Sequence, residues 1–159
     1  MLPCKFEREV FNSRKSDFAC SCIVVYSCKF VDCESNYEGS AIFINLNGRL
    51  KVHGTIFRCC STTAIAGAVS CKISELTMTH TCYFNCNSTK SIGSGDDVFH
   101  AVKIIGAQAE SVVNLSACSF AMCPKDQINT DETIAIWHNC LVAFKRNNVT
   151  KNTERSDMV

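Results

Sequence analysis

The chain has 159 residues, of which 47% are hydrophobic and 19% are charged, a composition that excludes a disordered protein and is sufficient for one packed core. Its 16 basic residues are balanced by 15 acidic ones, so it lacks the basic excess of a general nucleic-acid-binding protein. No apolar run approaches the ~20 residues of a membrane-spanning helix.

Short β-branched or aromatic segments, bounded by turn residues, dominate the chain. Residues 23–26, 41–44 and 50–52 have this character, and Asn47-Gly48 is a strong turn dipeptide. Residues 101–113 have two interpretations: they contain good helix formers, but alignment with earlier segments gives a strand, a turn and a second strand. We favour the two strands.

Phenylalanine recurs in a common frame along the chain, with gaps of 24, 27, 27, 36 and 24 residues. The register between two of the repeats is ambiguous by one residue, because Leu50 and Leu76 are 26 residues apart whereas Phe57 and Phe84 are 27 apart. The six copies are Phe6, Phe30, Phe57, Phe84, Phe120 and Phe144.

A second repeated segment precedes these phenylalanines. Residues 39–42 match residues 66–69, and Ala41 and Ala68 each lie 16 residues before a phenylalanine. A period of about 20–50 residues is typical of repeat architectures, and two or three short strands per period suit one rung of a parallel β-helix. The sequence therefore predicts an all-β fold, a right-handed parallel β-helix (solenoid) of about five rungs. A Greek-key sandwich is the alternative, although it does not require corresponding residues to recur.

Stacked rungs place identical positions one above another, about 4.8 Å apart. We therefore expect an aromatic ladder in the core, with small apolar thiols lining a corner beside it. The 13 cysteines are odd in number and lack paired zinc-binding spacings, which argues against a disulfide framework or a zinc site. The predicted ladder comprises Phe30, Phe57, Phe84 and Phe120, and the predicted corner comprises Cys28, Cys82 and Cys118.

The repeated Gly-Ser-Ala-Ile segment, followed at a distance by Phe-x-x-Cys or Phe-x-x-Asn, resembles the right-handed parallel β-helix repeat proteins of the polymorphic-outer-membrane-protein type. The cysteine-rich versions in surface proteins of parasitic protists are more similar still. The resemblance implies a repeat module for surface display, adhesion or protein–protein contact, with the flat side of the helix as its interface and a protein or glycan partner. The matching ranges are 30–33, 39–42, 57–60, 67–69, 84–87, 120–123 and 144–147.

A carbohydrate-active enzyme is the alternative function, since many pectin-lyase-like β-helices cleave polysaccharides. Polygalacturonases use Asn-Thr-Asp, Asp-Asp, Gly-His-Gly and Arg-Ile-Lys segments. This chain contains Asn129-Thr130-Asp131, Asp96-Asp97 and His53-Gly54, but in the reverse order, and it lacks Arg-Ile-Lys. We therefore assign no catalytic residues, and the alternative is a degenerate β-helix that binds or cleaves polysaccharide.

Two further clusters could bind ions. Asp96, Asp97, Asp126 and Asp131 fall in the longest insertions, and their oxygen atoms would suit calcium if they form an acidic ridge. A solvated loop face is the other interpretation, and no other cofactor is indicated. His53 and His80 each precede a phenylalanine by four residues, so they are expected to stack as an exposed pair or to bind a metal.

The predicted domain covers residues 1–147, and residues 148–159 form a polar tail. Because the chain opens in the middle of a rung, the sequence favours a fragment of a longer helix or a piece of an assembly, in which uncapped rungs associate end to end. The many thiols favour a reducing compartment, whereas the resemblance implies the cell surface.

Overall fold

The structure is a computed structural model, which describes residues 3–16, 20–45, 48–64, 66–88, 101–107, 111–123, 134–137 and 140–150. Throughout this part of the chain the fold is all-β and its sheets are parallel, as predicted. Residues 101–113 contain two strands, so the helical interpretation of this segment is wrong.

Most strands are short. In chain order they are β1 (Cys4–Glu7), β2 (Val10–Phe11), β3 (Cys22–Tyr26), β4 (Lys29–Val31), β5 (Glu34–Ser35), β6 (Ile42–Asn45), β7 (Arg49–His53), β8 (Ile56–Arg58), β9 (Ser61–Thr62), β10 (Val69–Ile73), β11 (Glu75–Thr79), β12 (Cys82–Phe84), β13 (Asn87–Ser88), β14 (Val102–Gly106), β15 (Ser111–Ser116), β16 (Ser119–Ala121), β17 (Ile134–Trp137), β18 (Cys140–Lys145) and β19 (Asn148–Thr150).

The strands form four parallel sheets, and each repeat contributes one strand to a sheet. Sheet A has the order β1-β3-β7-β11-β15-β18, and sheet B has the order β2-β4-β8-β12-β16-β19. Sheet C has the order β6-β10-β14-β17, and sheet D has the order β5-β9-β13. Since neighbours in every sheet come from consecutive repeats, corresponding residues of successive repeats lie side by side.

Alternate residues of these strands point into one core. Ile23, Leu50, Leu76 and Val113 are paired in register along sheet A, and each is at most 2% exposed. The repeated segments at 39–42 and 66–69 are also in register, because Ile42 pairs with Val69. The interior residues of sheets A, B and C belong to a single apolar cluster.

Residues with a left-handed backbone conformation turn the chain at two kinds of corner. This conformation costs a non-glycine residue roughly 1–2 kcal/mol. The amides of eight of the ten such residues donate a hydrogen bond to the next repeat, as when Ser27 N donates to His53 O over 2.9 Å. The left-handed residues between sheets A and B are Arg8, Ser27, Gly54, His80, Ala117 and Arg146, and those between sheets B and D are Asp32, Cys59, Asn85 and Met122.

An aromatic ladder runs through the core along sheet B. Phe30 and Phe57 stack with their ring centroids 5.0 Å apart, and Tyr83 continues the stack 4.7 Å from both Phe57 and Phe120. Phe11 begins the stack 4.8 Å from Phe30. These rings are buried, and their stacking adds to the free energy gained by removing their area from water.

Tyr83, and not Phe84, occupies the ladder in the fourth repeat. Tyr83 pairs with Phe57 in register, whereas Phe84 pairs with Arg58 on the outer face and is 38% exposed. The placement of Phe84 in the ladder is therefore wrong. Phe57 and Tyr83 are 26 residues apart in sheet B. Leu50 and its partner Leu76 have the same spacing in sheet A, so the repeat length is the same in both sheets.

The corner between sheets A and B also differs from the prediction at one position. Cys28 and Cys118 are buried there, but the corresponding buried residue in the fourth repeat is Thr81 and not Cys82. Cys82 is the register partner of Ile56 and Ser119 on the outer face and is only half-buried. The one-residue shift that exposes Phe84 therefore moves Cys82 out of the corner as well.

The last described strand extends past the predicted domain boundary at residue 147. β19 pairs with β16, and Val149 is the register partner of Phe120. At least residues 148–150 therefore belong to the sheet structure and not to a polar tail.

Denaturation can test whether Tyr83 is buried and Phe84 lies on the surface. We expect Tyr83→Ala to lower the free energy of unfolding by about 3–5 kcal/mol, the loss typical of a buried aromatic side chain, and Phe57→Ala to behave alike. The matched control, Phe84→Ala, should cost less than about 1 kcal/mol because its ring lies on the surface. Urea titrations measure these values, and an equal loss for both neighbours would contradict the observed register.

Candidate functional site: a buried column of thiols

Four cysteines form a continuous column in the core, at the corner between sheets B and D. Each follows a ladder ring by three residues, and each is 0% exposed. We call this set the thiol column: Cys33, Cys60, Cys86 and Cys123.

Local backbone geometry places these side chains. In each repeat a left-handed residue turns the chain, and the next residue points inward into a narrow corner, where a small side chain fits without strain. Each sulfur lies near two carbonyl oxygens, one from its own repeat and one from the preceding repeat. For Cys60 these are Arg58 O and Phe30 O, both 3.6 Å away, and for Cys86 they are Phe84 O at 3.6 Å and Phe57 O at 3.5 Å.

The thiols of the column also interact with one another. Hydrogen bonds from Cys33 and Cys86 lower the pKa of Cys60, and a hydrogen bond from Cys86 lowers the pKa of Cys123. Burial raises the pKa of Cys86, and the hydrogen bond to Cys60 raises that of Cys33. Cys33 and Cys86 therefore act as donors, and Cys60 and Cys123 as acceptors, so that the two roles alternate along the column.

The sequence prediction did not identify this column, because Phe84 was aligned with Phe57. That alignment placed Asn87 opposite Cys60, whereas the observed register makes Tyr83-x-x-Cys86 the equivalent of Phe57-x-x-Cys60. The signal that could have found it was the 26-residue spacing from Leu50 to Leu76.

The corner between sheets A and B shows that the structural role of such a cysteine can also be filled by threonine. Cys28 Sγ lies 3.4 Å from Tyr26 O, and at the equivalent position Thr55 Oγ1 donates to His53 O over 3.1 Å. Thr81 Oγ1 lies 3.0 Å from Cys118 Sγ in the same row. Cysteine and threonine both form a hydrogen bond to the carbonyl oxygen two residues earlier. The corner therefore requires a small hydrogen-bonding side chain and not a thiol in particular.

A polar cluster on the outer side of sheet C holds the loop before β6. Lys103 Nζ donates to both carboxylate oxygens of Glu38, at 3.0 and 3.1 Å, and Ser70 Oγ donates to the same carboxylate at 2.9 Å. Arg14 donates to the carbonyls of Glu38 and Gly39. Lys103 is only 5% exposed, and a buried amine needs such a partner. The cluster therefore serves to attach the loop to the sheet.

The two predicted histidines are neighbours on the surface. The rings of His53 and His80 meet edge to face, 5.3 Å apart, and Tyr26 stacks on His53 at 5.1 Å. His53 Nδ1 forms a 2.6 Å hydrogen bond with Thr79 Oγ1. The pair is exposed, and the structure shows it packed against an aromatic ring and a hydroxyl group.

An open groove of about 420 Å³ lies beside sheet D. Thr62 Oγ1 on its wall donates to the carbonyl of Tyr37 over 2.7 Å, and the Tyr37 side chain is 70% exposed. The groove is lined by Glu34, Ser35, Asn36, Ser61, Thr62 and Thr63.

The aspartates proposed as a calcium ridge, Asp96, Asp97, Asp126 and Asp131, lie outside the described residues. Within the described ranges, no group of three or more His, Cys, Asp or Glu side chains is arranged to hold a metal ion. Nor does this part of the chain contain a helix with the length and apolarity that crossing a membrane requires.

Comparisons with protein-family models, curated proteins and solved structures find no match to this chain.

Thiol labelling tests the burial of the column. Cys59 and Cys60 form a matched pair, because they are adjacent in sequence while Cys59 is half-buried and Cys60 is fully buried. In the native protein we expect a small alkylating reagent to modify Cys59 and to leave Cys60 unmodified, as read by peptide mass spectrometry. Denaturation should make both reactive, and labelling of Cys60 at the rate of Cys59 would contradict the column.

The pH dependence of stability tests the burial of a further thiol, Cys71. Burial, and to a smaller degree the nearby Cys140, raises the pKa of Cys71 from 9.0 to about 12. The folded state thus retains a proton that the unfolded state loses. The associated stabilisation is complete below pH 9.0 and is lost above it, at up to about 1.4 kcal/mol per pH unit.

We therefore expect the free energy of unfolding of the wild type to fall more steeply above pH 9.0 than that of Cys71→Ala. Denaturant titrations across this range provide the measurement, and parallel curves for the two proteins would contradict the assignment.

Proposed function

We propose that the chain is a right-handed parallel β-helix module that makes non-catalytic contacts with other protein chains. The order of the four sheets supports this fold, because the chain passes through sheets A, B, D and C before it returns to sheet A one repeat later. Parallel crossovers of this kind are right-handed in nearly all proteins. The six strands of sheet A would make the β-helix six turns long, one turn more than expected from the phenylalanine spacing.

The main support for the contact function is that residues at core positions are exposed in the last described repeat. Val142 and Phe144 continue the inward rows of sheet A, and Val149 continues the aromatic ladder, yet they are 48%, 50% and 51% exposed. The equivalent residues of the preceding repeat are at most 1% exposed. We call these three residues the terminal patch.

Strand edges accompany the terminal patch. Among the described strands, β17, β18 and β19 stand last in the orders of sheets C, A and B. Edge strands present backbone groups that can pair with another chain, and apolar side chains beside them add the hydrophobic driving force. The patch is therefore suited to adding strands from a partner, and the occupant to which we commit is a second copy of this chain.

The opposite end is protected. The Nζ atom of Lys15 lies 4.6 Å above the ring of Phe11, and a disulfide joins Cys4 to Cys20. Lys15 pairs with Ile42 at the start of sheet C, so its cationic group covers the first ring of the ladder. This difference between the ends favours association through the terminal patches of two copies over head-to-tail stacking.

Sedimentation velocity over a micromolar concentration range tests this association. We expect the wild type to form a dimer, and Phe144→Lys with Val149→Lys to weaken it by at least about tenfold, since each lysine places a charge in the apolar contact. Val10→Lys is the matched control, because Val10 is 70% exposed at the protected end. A wild type that stays monomeric throughout, or a control that dissociates equally, would reject the terminal patch as the interface.

Saccharide binding is the second candidate, and it is favoured by the groove beside sheet D. Hydroxyl, amide and carboxylate groups line the groove, and Tyr37 next to it is an exposed ring of the kind on which sugars pack. A glycan array with the wild type and with Glu34→Ala plus Asn36→Ala tests this, with Glu7→Ala as the control. Binding that depends on the groove residues would favour this candidate, and a parallel polysaccharide-cleavage assay separates binding from catalysis.

A further inference from the structure

We propose that the thiol column binds soft monovalent metal ions, with Cu(I) as the preferred ion. Each ion would be held in a line between the sulfurs of two adjacent repeats. One ion would lie between Cys33 and Cys60, and a second between Cys86 and Cys123.

The spacing of the repeats fits such an ion. Adjacent parallel strands lie about 4.8 Å apart. Zinc–thiolate bonds are about 2.3 Å long, and two metal–sulfur bonds of that length in a line span about 4.6 Å. Each column cysteine follows one of strands β4, β8, β12 and β16 by two residues, and these strands pair in register, so the four cysteines recur at the repeat spacing. An ion between two adjacent sulfurs would therefore require no movement of the backbone.

The four cysteines of the column carry no disulfide in the structure, although Cys4 and Cys20 are joined by one. The sulfurs of the column are therefore available as ligands.

The linear arrangement also selects the type of ion. Sulfurs that are two repeats apart are separated by roughly twice the strand spacing, so one ion contacts two of them and not three. Zinc prefers four ligands, whereas thiolates favour Cu(I), a soft ion that accepts two.

Binding involves no oxidation. Two S–H bonds break, two metal–sulfur bonds form, and two protons pass to solvent for each ion.

The test uses the full-length chain with the other accessible sulfurs removed. In the background variant, serine replaces the disulfide pair Cys4 and Cys20 and the half-buried Cys22, Cys59, Cys82 and Cys140, which leaves seven buried cysteines. This protein is refolded from urea without oxygen in the presence of Cu(I) and a chromophoric Cu(I) chelator, since the column is closed in the folded state.

Two further variants locate the ions. Cys60→Thr with Cys123→Thr removes one sulfur from each proposed pair, and Cys28→Thr with Cys118→Thr is the matched control at the other corner. Threonine is chosen because Thr55 and Thr81 already occupy buried positions at the corner between sheets A and B, in the row of Cys28 and Cys118. Circular dichroism verifies that each variant folds, including the column variant at the other corner.

We expect the background protein to retain two Cu(I) ions against the chelator, the column variant to retain none, and the control to retain both. X-ray absorption should show two sulfur ligands for each copper. Retention of no copper by the folded background protein, equal loss in the control, or three or four ligands per ion would overturn the proposal. Column disulfides found by mass spectrometry in copper-free protein exposed to air would also overturn it, since they would show that the sulfurs pair directly. None of these outcomes depends on whether the terminal patch binds a second copy.

Discussion

In-register parallel pairing of successive repeats is the constraint on which the rest of the structure depends. It forces equivalent residues into rows, so a side chain suited to one repeat must also fit against its counterpart in the next. The aromatic ladder satisfies this requirement by stacking, with centroid separations close to the strand spacing. The left-handed corners meet the same requirement for the backbone, because eight of their ten amides donate a hydrogen bond to the next repeat.

These corners account for six of the 13 cysteines. A residue just after a left-handed turn points into a narrow interior angle, where a small side chain that can reach a nearby carbonyl is favoured. Cysteine meets both conditions, and Thr55 shows that a hydroxyl group serves as well. Among the corners in the described part of the chain, only the one between sheets B and D has cysteines that follow one another through four repeats. In that uninterrupted row, cysteines that each fill a corner also bring four thiol groups next to one another.

The two ends of the described structure differ in how far their core residues are covered. At the amino-terminal end, a lysine above Phe11 and a disulfide cover the first core layer. At the other end, Val142, Phe144 and Val149 occupy core rows while half of each side chain is exposed. The last members of these rows gain free energy if a partner removes their apolar area from water, so the contact function that we propose lies at the exposed end.

Short apolar segments separated by turn residues were sufficient to indicate an all-β chain, because strand pattern is a local property of the sequence. The recurring phenylalanines indicated repeats, although of the six aligned copies only Phe30, Phe57 and Phe120 share the row of the ladder. The sequence alone could not decide whether Tyr83 or Phe84 occupies the ladder. Either ring could enter the core on composition alone, and a shift of one residue exchanges the inner and outer faces of a strand. Tertiary structure decided it, since the pairing of Leu76 with Leu50 and of Tyr83 with Phe57 requires the same 26-residue repeat in both sheets. The thiol column became visible only with that choice, because Cys86 reaches the row of Cys60 in this register and in no other.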